Sequence, residues 1–379
     1  MFLGFRERGA RRNPCVMFYY KKGGAEMAEQ EAAKEQSEEE RLKQMAAQMR
    51  AAEYKGLSEE EIQERERQKE MRRKKNIEIL EDTLSTLEKG SYEKDGQERK
   101  LQFTPDQMRR IQVFLPDEID EMRSRTGVSS SLRESRVEAA GQDNVRQVKK
   151  TSCTFNCENI DALVLAQRKY LELKDKGEAA HRVLVLNLAS STHPGGQTRK
   201  GASAQEEDLC RRTSLLLALE SEAAKKYYDY NNARKTRMGS DGVMISPCVE
   251  VLKDASAEML QEPFPISVMS CAAPMIRMGL EGMSQQEYET MLYNRIQGML
   301  LVAASQGYRH LILGAFGCGV FGNDAAVVSD SFYRAITKFS YAGKGSDQLF
   351  ETIDFAVLCR PEKDYNYREF CRYFSPMQL

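Results

Sequence analysis

Neither sign of charge dominates this chain: 56 Lys and Arg stand against 57 Asp and Glu, a net charge of −1 over 379 residues. That balance gives no electrostatic reason to expect direct nucleic-acid binding. No stretch is apolar for long enough to span a bilayer, so no membrane association is expected. The N-terminus "MFLGFRERGARRNPCVMFYY" is basic but lacks an uninterrupted apolar core and a clean cleavage site, so it does not read as a signal peptide. The 9 cysteines are scattered and odd in number. Only Cys153 and Cys157 lie close, and no second pair completes a zinc site. They read as reduced thiols, mostly core packing, in a cytoplasmic protein. His181, His193 and His310 are far apart in sequence, so neither a metal nor a cofactor is expected.

What is present divides unevenly. Residues 28–75 are dense in Glu, Gln, Lys, Arg and Ala. Ser58 and Glu61 form an S-x-x-E capping box at a helix start, and Gly90 is a natural stop. Apolar residues become periodic only at Ile77, Leu80, Leu84 and Leu87, so the helix is expected solvated first and docked over its last three turns. A solvated extension and a partner-binding helix both fit the charge run, although sustained a/d heptads are missing. Residues 1–75 are therefore assigned to an extension and 76–379 to one globular domain. Lys22-Gly23-Gly24 can be encoded by a run resembling a bacterial ribosome-binding site just before Met27. Translation from Met27 is the expectation, with residues 1–26 untranslated.

Segment 116–150 is polar and reads as an irregular connection. Beyond it, apolar runs at 182–190, "DGVMISPCVEVL", "PISVMSCAAP", "HLILGAFG" and "TIDFAVLC" read as strands. Helical patterns at 284–307 and 323–339 lie between the last three, which argues for an α/β layered domain.

Two stretches carry chemistry. In "HPGGQTRKGASAQEEDLC" (193–210) a glycine loop runs from a strand into a helix starting near Ala204, with an apolar stripe at Leu209, Thr213, Leu216 and Leu217. Ligands of open α/β sheets bind where strands end and helices begin. Ser203 to Glu206 also spells a capping box, which would explain Glu206 structurally. Glu207 lies about 100° further round the helix and is left free to act. A glutamate there suits glycosidic cleavage, in which a carboxylic acid protonates a leaving oxygen. The helix dipole favours the charged form of such a group, whereas burial and a bound diphosphate favour the acid, so an anionic substrate is expected beside it.

The second stretch, "HLILGAFGCGVFGND" (310–324), reads as strand, glycine loop and helix. Its free backbone N–H groups suit phosphate oxygens, and Phe316 and Phe321 are candidates to flank a ribose or base. Glycines serving tight turns alone would give the same pattern. Gly317 to Gly322 also fits G-x-G-x-x-G, but no acid ends the following strand as a dinucleotide fold requires.

Together the two stretches resemble the signature of bacterial-type poly(ADP-ribose) glycohydrolases, which are macrodomain-like proteins. "VLNLAS", "SVMSCAAP" and "LILGAFGCGVFGNDAAVVSDSF" follow the same family in the same order, so the resemblance covers roughly residues 76–360. It implies a three-layer αβα fold with a mixed sheet. The implied activity is hydrolysis of ADP-ribose glycosidic bonds in polymer or on protein. The resemblance implies Glu207 as catalytic acid, Glu206 as a hydrogen-bonding partner of the ribose or leaving group, and Gln205 as the residue that orders the turn. Asn187 would lie near the distal ribose, and Gly195 and Gly196 would let the loop approach it. Gly317, Cys318, Gly319, Val320 and Phe321 would form the diphosphate loop, with Phe321 on the sugar. Two positions depart from the pattern. Gln197 stands where the family has a third glycine, and would be strained if that site needs positive φ. Met275 stands where the family has asparagine. A binding-only ADP-ribose reader is the alternative, and a nicotinamide-dependent oxidoreductase a more distant one.

Overall fold

The computed structural model describes residues 54–126, 153–178 and 183–375, with the isolated positions 44, 47 and 51. Residues 1–26 with their proposed start codon, His181, and 127–150 of the polar connection lie outside the described residues. The chain divides into two units, Met1–Glu66 and Arg67–Leu379.

Helix α1 (Glu59–Lys89) starts as expected, with the N–H groups of Ser58 and Glu61 bonded to the Glu61 carboxylate and the Ser58 hydroxyl. It stops at Gly90, whose φ of 73° is the left-handed conformation glycine adopts without strain. Burial begins at Asn76 and continues through Leu80, Thr83, Thr86 and Leu87, so docking is confined to the C-terminal half. A hairpin of β1 (Ser91–Lys94) and β2 (Gln97–Lys100) follows, then β3 (Gln112–Phe114).

Residues 116–126 are not irregular: α2 (Pro116–Thr126) is a helix. The Glu118 carboxylate accepts the Leu115 N–H at 2.7 Å, and Asp117 and Glu118 sit at the positive helix end. Ile119 alone is fully buried, which is why no apolar period announced the helix.

The domain continues as β4 (Thr154–Glu158), α3 (Ala162–Asp175), β5 (Val183–Leu188), α4 (Gln205–Arg212), α5 (Leu215–Leu219) and α6 (Glu222–Ala233). Then come β6 (Val243–Lys253), β7 (Met259–Cys271), α7 (Gln285–Ser305), β8 (His310–Leu313) and α8 (Ala325–Thr337). A small ribbon of β9 (Ser340–Tyr341) and β10 (Lys344–Gly345) precedes β11 (Thr352–Ala356) and α9 (Tyr365–Phe374). The stripe expected on one helix from Leu209 to Leu217 is divided, because Thr213 is extended (φ −139°) and bridges to Val251.

Seven strands form one mixed sheet in the order β3-β6-β7-β5-β8-β11-β4. Strands β7, β5, β8, β11 and β4 run parallel, and the β3-β6-β7 edge is antiparallel. Alternation along β5 sends Leu184 and Leu186 to one face, where α7, α8 and α9 pack, and Val183 and Val185 to the other, under α3 to α6. This is a three-layer αβα domain. Cys153, Cys157, Cys210 and Cys271 are buried in these cores. The parallel strands β5, β7 and β8 end at Leu188, Cys271 and Leu313, and the loops that follow them build the site.

Candidate active site

Beyond Val185, β8 no longer pairs with β5, and the exposed backbone needs another partner. Gln205 supplies it. Its amide nitrogen donates to Leu186 O and its amide oxygen accepts the Leu188 N–H, both at 2.8 Å. The first turn of α4 is thereby clamped to the end of β5.

The expected Ser203–Glu206 capping box does not form. Ala204 is the N-cap residue, without a side-chain cap, and the Ser203 hydroxyl accepts from Asn76 Nδ2 at 3.2 Å. Glu206 turns inward instead. Its Oε2 accepts the Ser190 N–H at 2.7 Å and its Oε1 accepts Asn187 Nδ2 at 3.2 Å. Asn187 is fully buried, also donates to Ser270 Oγ at 3.0 Å, and leaves its own Oδ1 without a partner. Burial pushes the Glu206 carboxyl up to about 8, and the charge of Glu207 adds to the rise. The Ser190 and Asn187 hydrogen bonds work against it.

Glu207 is held differently. Its Oε1 accepts the Gln197 N–H at 3.0 Å, whereas its buried Oε2 has no partner. Gly196 lies over both acids: a Cβ there would stand 2.5 Å from Glu207 Oε1 and 3.0 Å from Glu206 Oε2. With φ values of 65° and 60°, Gly195 and Gly196 form a turn that side chains rarely adopt. Gly195 packs against Leu216 and Cys210. Gln197 has φ −107°, so the strain expected from its replacing a third glycine is absent.

The second loop folds over the same strand ends. Leu188, Ala204, Gln205, Ala273, Gly317, Gly319, Val320 and Phe321 enclose a crevice of about 300 Å³. Val320 is 64% exposed at its rim. Phe316 is buried in the core and cannot flank a ligand, because its ring packs edge-on to Phe332 in the same core. Cys318 is half-buried, and burial raises its thiol well above the usual range, so it is no thiolate nucleophile.

Several supporting residues escaped the sequence reading. Asn323 Nδ2 donates to Pro274 O at 2.8 Å and Gly317 O at 3.0 Å, and its Oδ1 accepts the Tyr288 hydroxyl at 2.7 Å. Gly317, with φ 74°, leaves the space that Asn323 and Ala273 fill. Ser190 and Ser270 lie in the quoted strand segments, but nothing local marked them as partners of Glu206 and Asn187. Residues Glu178, His310 and Glu351 meet at the start of β8, the end of that strand remote from the crevice. Among the described residues this grouping alone has the make-up to hold a metal, and burial pushes the His310 imidazole down.

A mixed αβα sheet, with paired buried carboxylates on the helix after one parallel strand and a glycine loop after the next, defines a macrodomain-like protein. Residues 80–254 match the model of the microbial-type PARG catalytic domain. The chain is 26% identical to the poly(ADP-ribose) glycohydrolase of Thermomonospora curvata, solved bound to the inhibitor ADP-HPD, with a TM-score of 0.63 over 79% of this chain and 99% of that one. It is 29% identical to the poly(ADP-ribose) glycohydrolase of Deinococcus radiodurans, solved with ADP-ribose, with a TM-score of 0.56 over 71% of this chain and 96% of that one. No curated protein sequence is significantly similar. Over these spans the chain is similar to the bacterial-type poly(ADP-ribose) glycohydrolases.

Proposed function

We propose that this chain hydrolyses ADP-ribose glycosidic bonds, with Glu207 as general acid. The observation that carries the reading is the unequal holding of the two neighbouring acids. Glu206 has both oxygens engaged, while Glu207 is anchored by one and keeps the other unpartnered.

In the reaction the bond from C1″ of the ribose to the leaving oxygen breaks, and an oxocarbenium-like sugar develops. Glu207 Oε2 passes its proton to the leaving oxygen. Water then adds to C1″ and gives up a proton to the Glu207 carboxylate or to a substrate phosphate. Glu206 holds a ribose hydroxyl or the leaving group, in a position fixed by Ser190 and Asn187. The Gly317–Phe321 segment offers backbone N–H groups to the diphosphate, with Phe321 against the sugar. Gln205 orders the turn that carries both acids.

No described helix is long and apolar enough to cross a membrane. A cytoplasmic location and a partner-binding or localising role for the charged stretch before the domain complete the proposal. Neither nucleic acid nor membrane is a partner in it. The test is release of free ADP-ribose, measured by chromatography, from poly(ADP-ribose) and from ADP-ribosylated protein. Release from at least one is expected; binding of ADP-ribose without release from either would make the protein a reader.

A further inference from the structure

We propose that Glu178, His310 and Glu351 form a binding site for a divalent transition-metal ion of the zinc type, at the end of β8 remote from the crevice. The proposal is independent of the hydrolase reading. The three residues lie far apart in sequence, and the topology brings them together. His310 is the first residue of β8, and parallel pairing sets it beside Thr352 of β11. Glu351 precedes Thr352; its N–H donates to Arg309 O and its carbonyl accepts the Thr154 N–H, both at 2.8 Å. Glu178 closes a Schellman turn after α3. Its N–H donates to Leu173 O at 2.9 Å, and the N–H of Gly177, at φ 71°, donates to Lys174 O at 3.0 Å. All three positions are therefore held by the fold itself, before any ion binds.

The donor atoms suit one small ion. One ligand atom from each residue lies within 4.8 Å of the other two. Bonds of about 2.0–2.1 Å in a tetrahedral shell put neighbouring ligand atoms about 3.3 Å apart. His310 Nε2 and Glu351 Oε2 already stand at 3.6 Å. Glu178 is exposed and can close the remaining gap by rotating its side chain. His310 is 6% exposed, and its Nδ1 lies 3.2 Å from Thr352 Oγ1. With Nδ1–H donating to Thr352, the lone pair is on Nε2, on the side of Glu351. Ligand histidines are fixed through their second nitrogen in this way. Two carboxylates balance the charge of a divalent ion, and the ring nitrogen favours zinc over calcium or magnesium, which take oxygen.

The neighbouring cations Arg309, Lys169 and Lys176 are engaged elsewhere. Arg309 pairs with Glu351 Oε1, which leaves Oε2 to the site. Lys169 and Lys176 pair with Glu172 at 3.0 and 2.8 Å. An ion held by the three ligands would tie the end of α3 to the starts of β8 and β11. Its binding energy would then be folding energy, and its role that of a clip.

The test uses the full-length protein after dialysis against EDTA, with Zn2+ alone as the probe, read by calorimetry and thermal unfolding. Glu178→Gln and His310→Gln keep every cysteine, so thiols contribute equally in all three proteins. Zn2+ is expected to raise the unfolding midpoint of wild type. Each variant should bind it at least about tenfold more weakly, the low end of what even an indirect contact contributes at metal sites. Without metal, Glu178→Gln should unfold as wild type does, since the side chain is exposed, and this variant decides the matter if His310→Gln fails to fold. Equal zinc effects on wild type and Glu178→Gln would assign the ion to other ligands. No binding by wild type would leave only the contact between His310 and Glu351. Either result overturns the site.

Discussion

The segment from Ser190 to Glu207 and the loop from Gly314 to Asp324 both leave the end of a parallel strand, and both face one crevice, yet they are built differently. The first buries its functional groups. Glu206 and Glu207 are 3% and 7% exposed, and Gly196 touches their carboxylates closely enough to exclude any side chain. The second presents backbone: Gly319, Val320 and Gly322 are exposed, and Asn323 braces them from behind. Burial makes the aim of both acids sensitive to small displacements. An exposed backbone cradle depends on the conformation of its glycines and on the brace. On the proposed reading, chemistry is thereby concentrated in one loop and binding in the other.

The sharpest way to break the contrast is Gly196→Ala. Its methyl would sit on Glu207 Oε1 in a backbone at φ 60°. A displacement of the acid by about 1 Å is expected to lower kcat about 100-fold, while ADP-ribose affinity measured by calorimetry stays near wild type. An equal fall in affinity would mean that the two loops are not divided in this way.

Glu206 tests the burial half of the comparison. Its folded carboxyl keeps its proton to about pH 8, whereas the unfolded chain loses it near 4.5. Between those values the folded state binds more protons, so this group makes stability fall as pH rises through that window and contributes no slope above it. Glu206→Gln removes this slope. In thermal unfolding from pH 5 to 8.5, the variant should gain on wild type as pH rises, by on the order of a few kcal/mol at the top. Parallel wild-type and variant curves would contradict the burial argument.

Asn323→Ala tests the other half with a smaller effect. It strands the Tyr288 hydroxyl and the Pro274 carbonyl. A stability loss of about 1–3 kcal/mol is expected in denaturant unfolding. ADP-ribose affinity should fall with it, and kcat should change less than in Gly196→Ala.

The contrast also explains what could be read in advance. Gly195, Gly196, Gln205, Glu206 and Glu207 lie within thirteen residues, and the strand and helix that carry them are adjacent in sequence, so their grouping was legible. The job of Glu206 was not. A capping box and a buried acid share the S-x-x-E spelling, and the choice was made by Ser190 and Asn187. Asn76 meets Gly201 across 125 positions and Asn323 meets Tyr288 across 35, which no local pattern encodes. Helix α2 was missed because a helix burying little more than Ile119 carries almost no period. The sequence left open whether Gln197 would be strained, because a glycine in a related motif need not mark positive φ; its φ of −107° shows that it is not.

The central claim is that two adjacent glutamates do different work, and Glu207→Gln tests it most directly. Release of ADP-ribose from poly(ADP-ribose) by this variant should fall by at least about 100-fold, the low end of what a positioned general acid contributes. Its ADP-ribose binding should persist, because Gln197 can still donate to the amide oxygen at position 207. Near-normal release by Glu207→Gln, with release abolished in Glu206→Gln instead, would reverse the assignment and contradict the account.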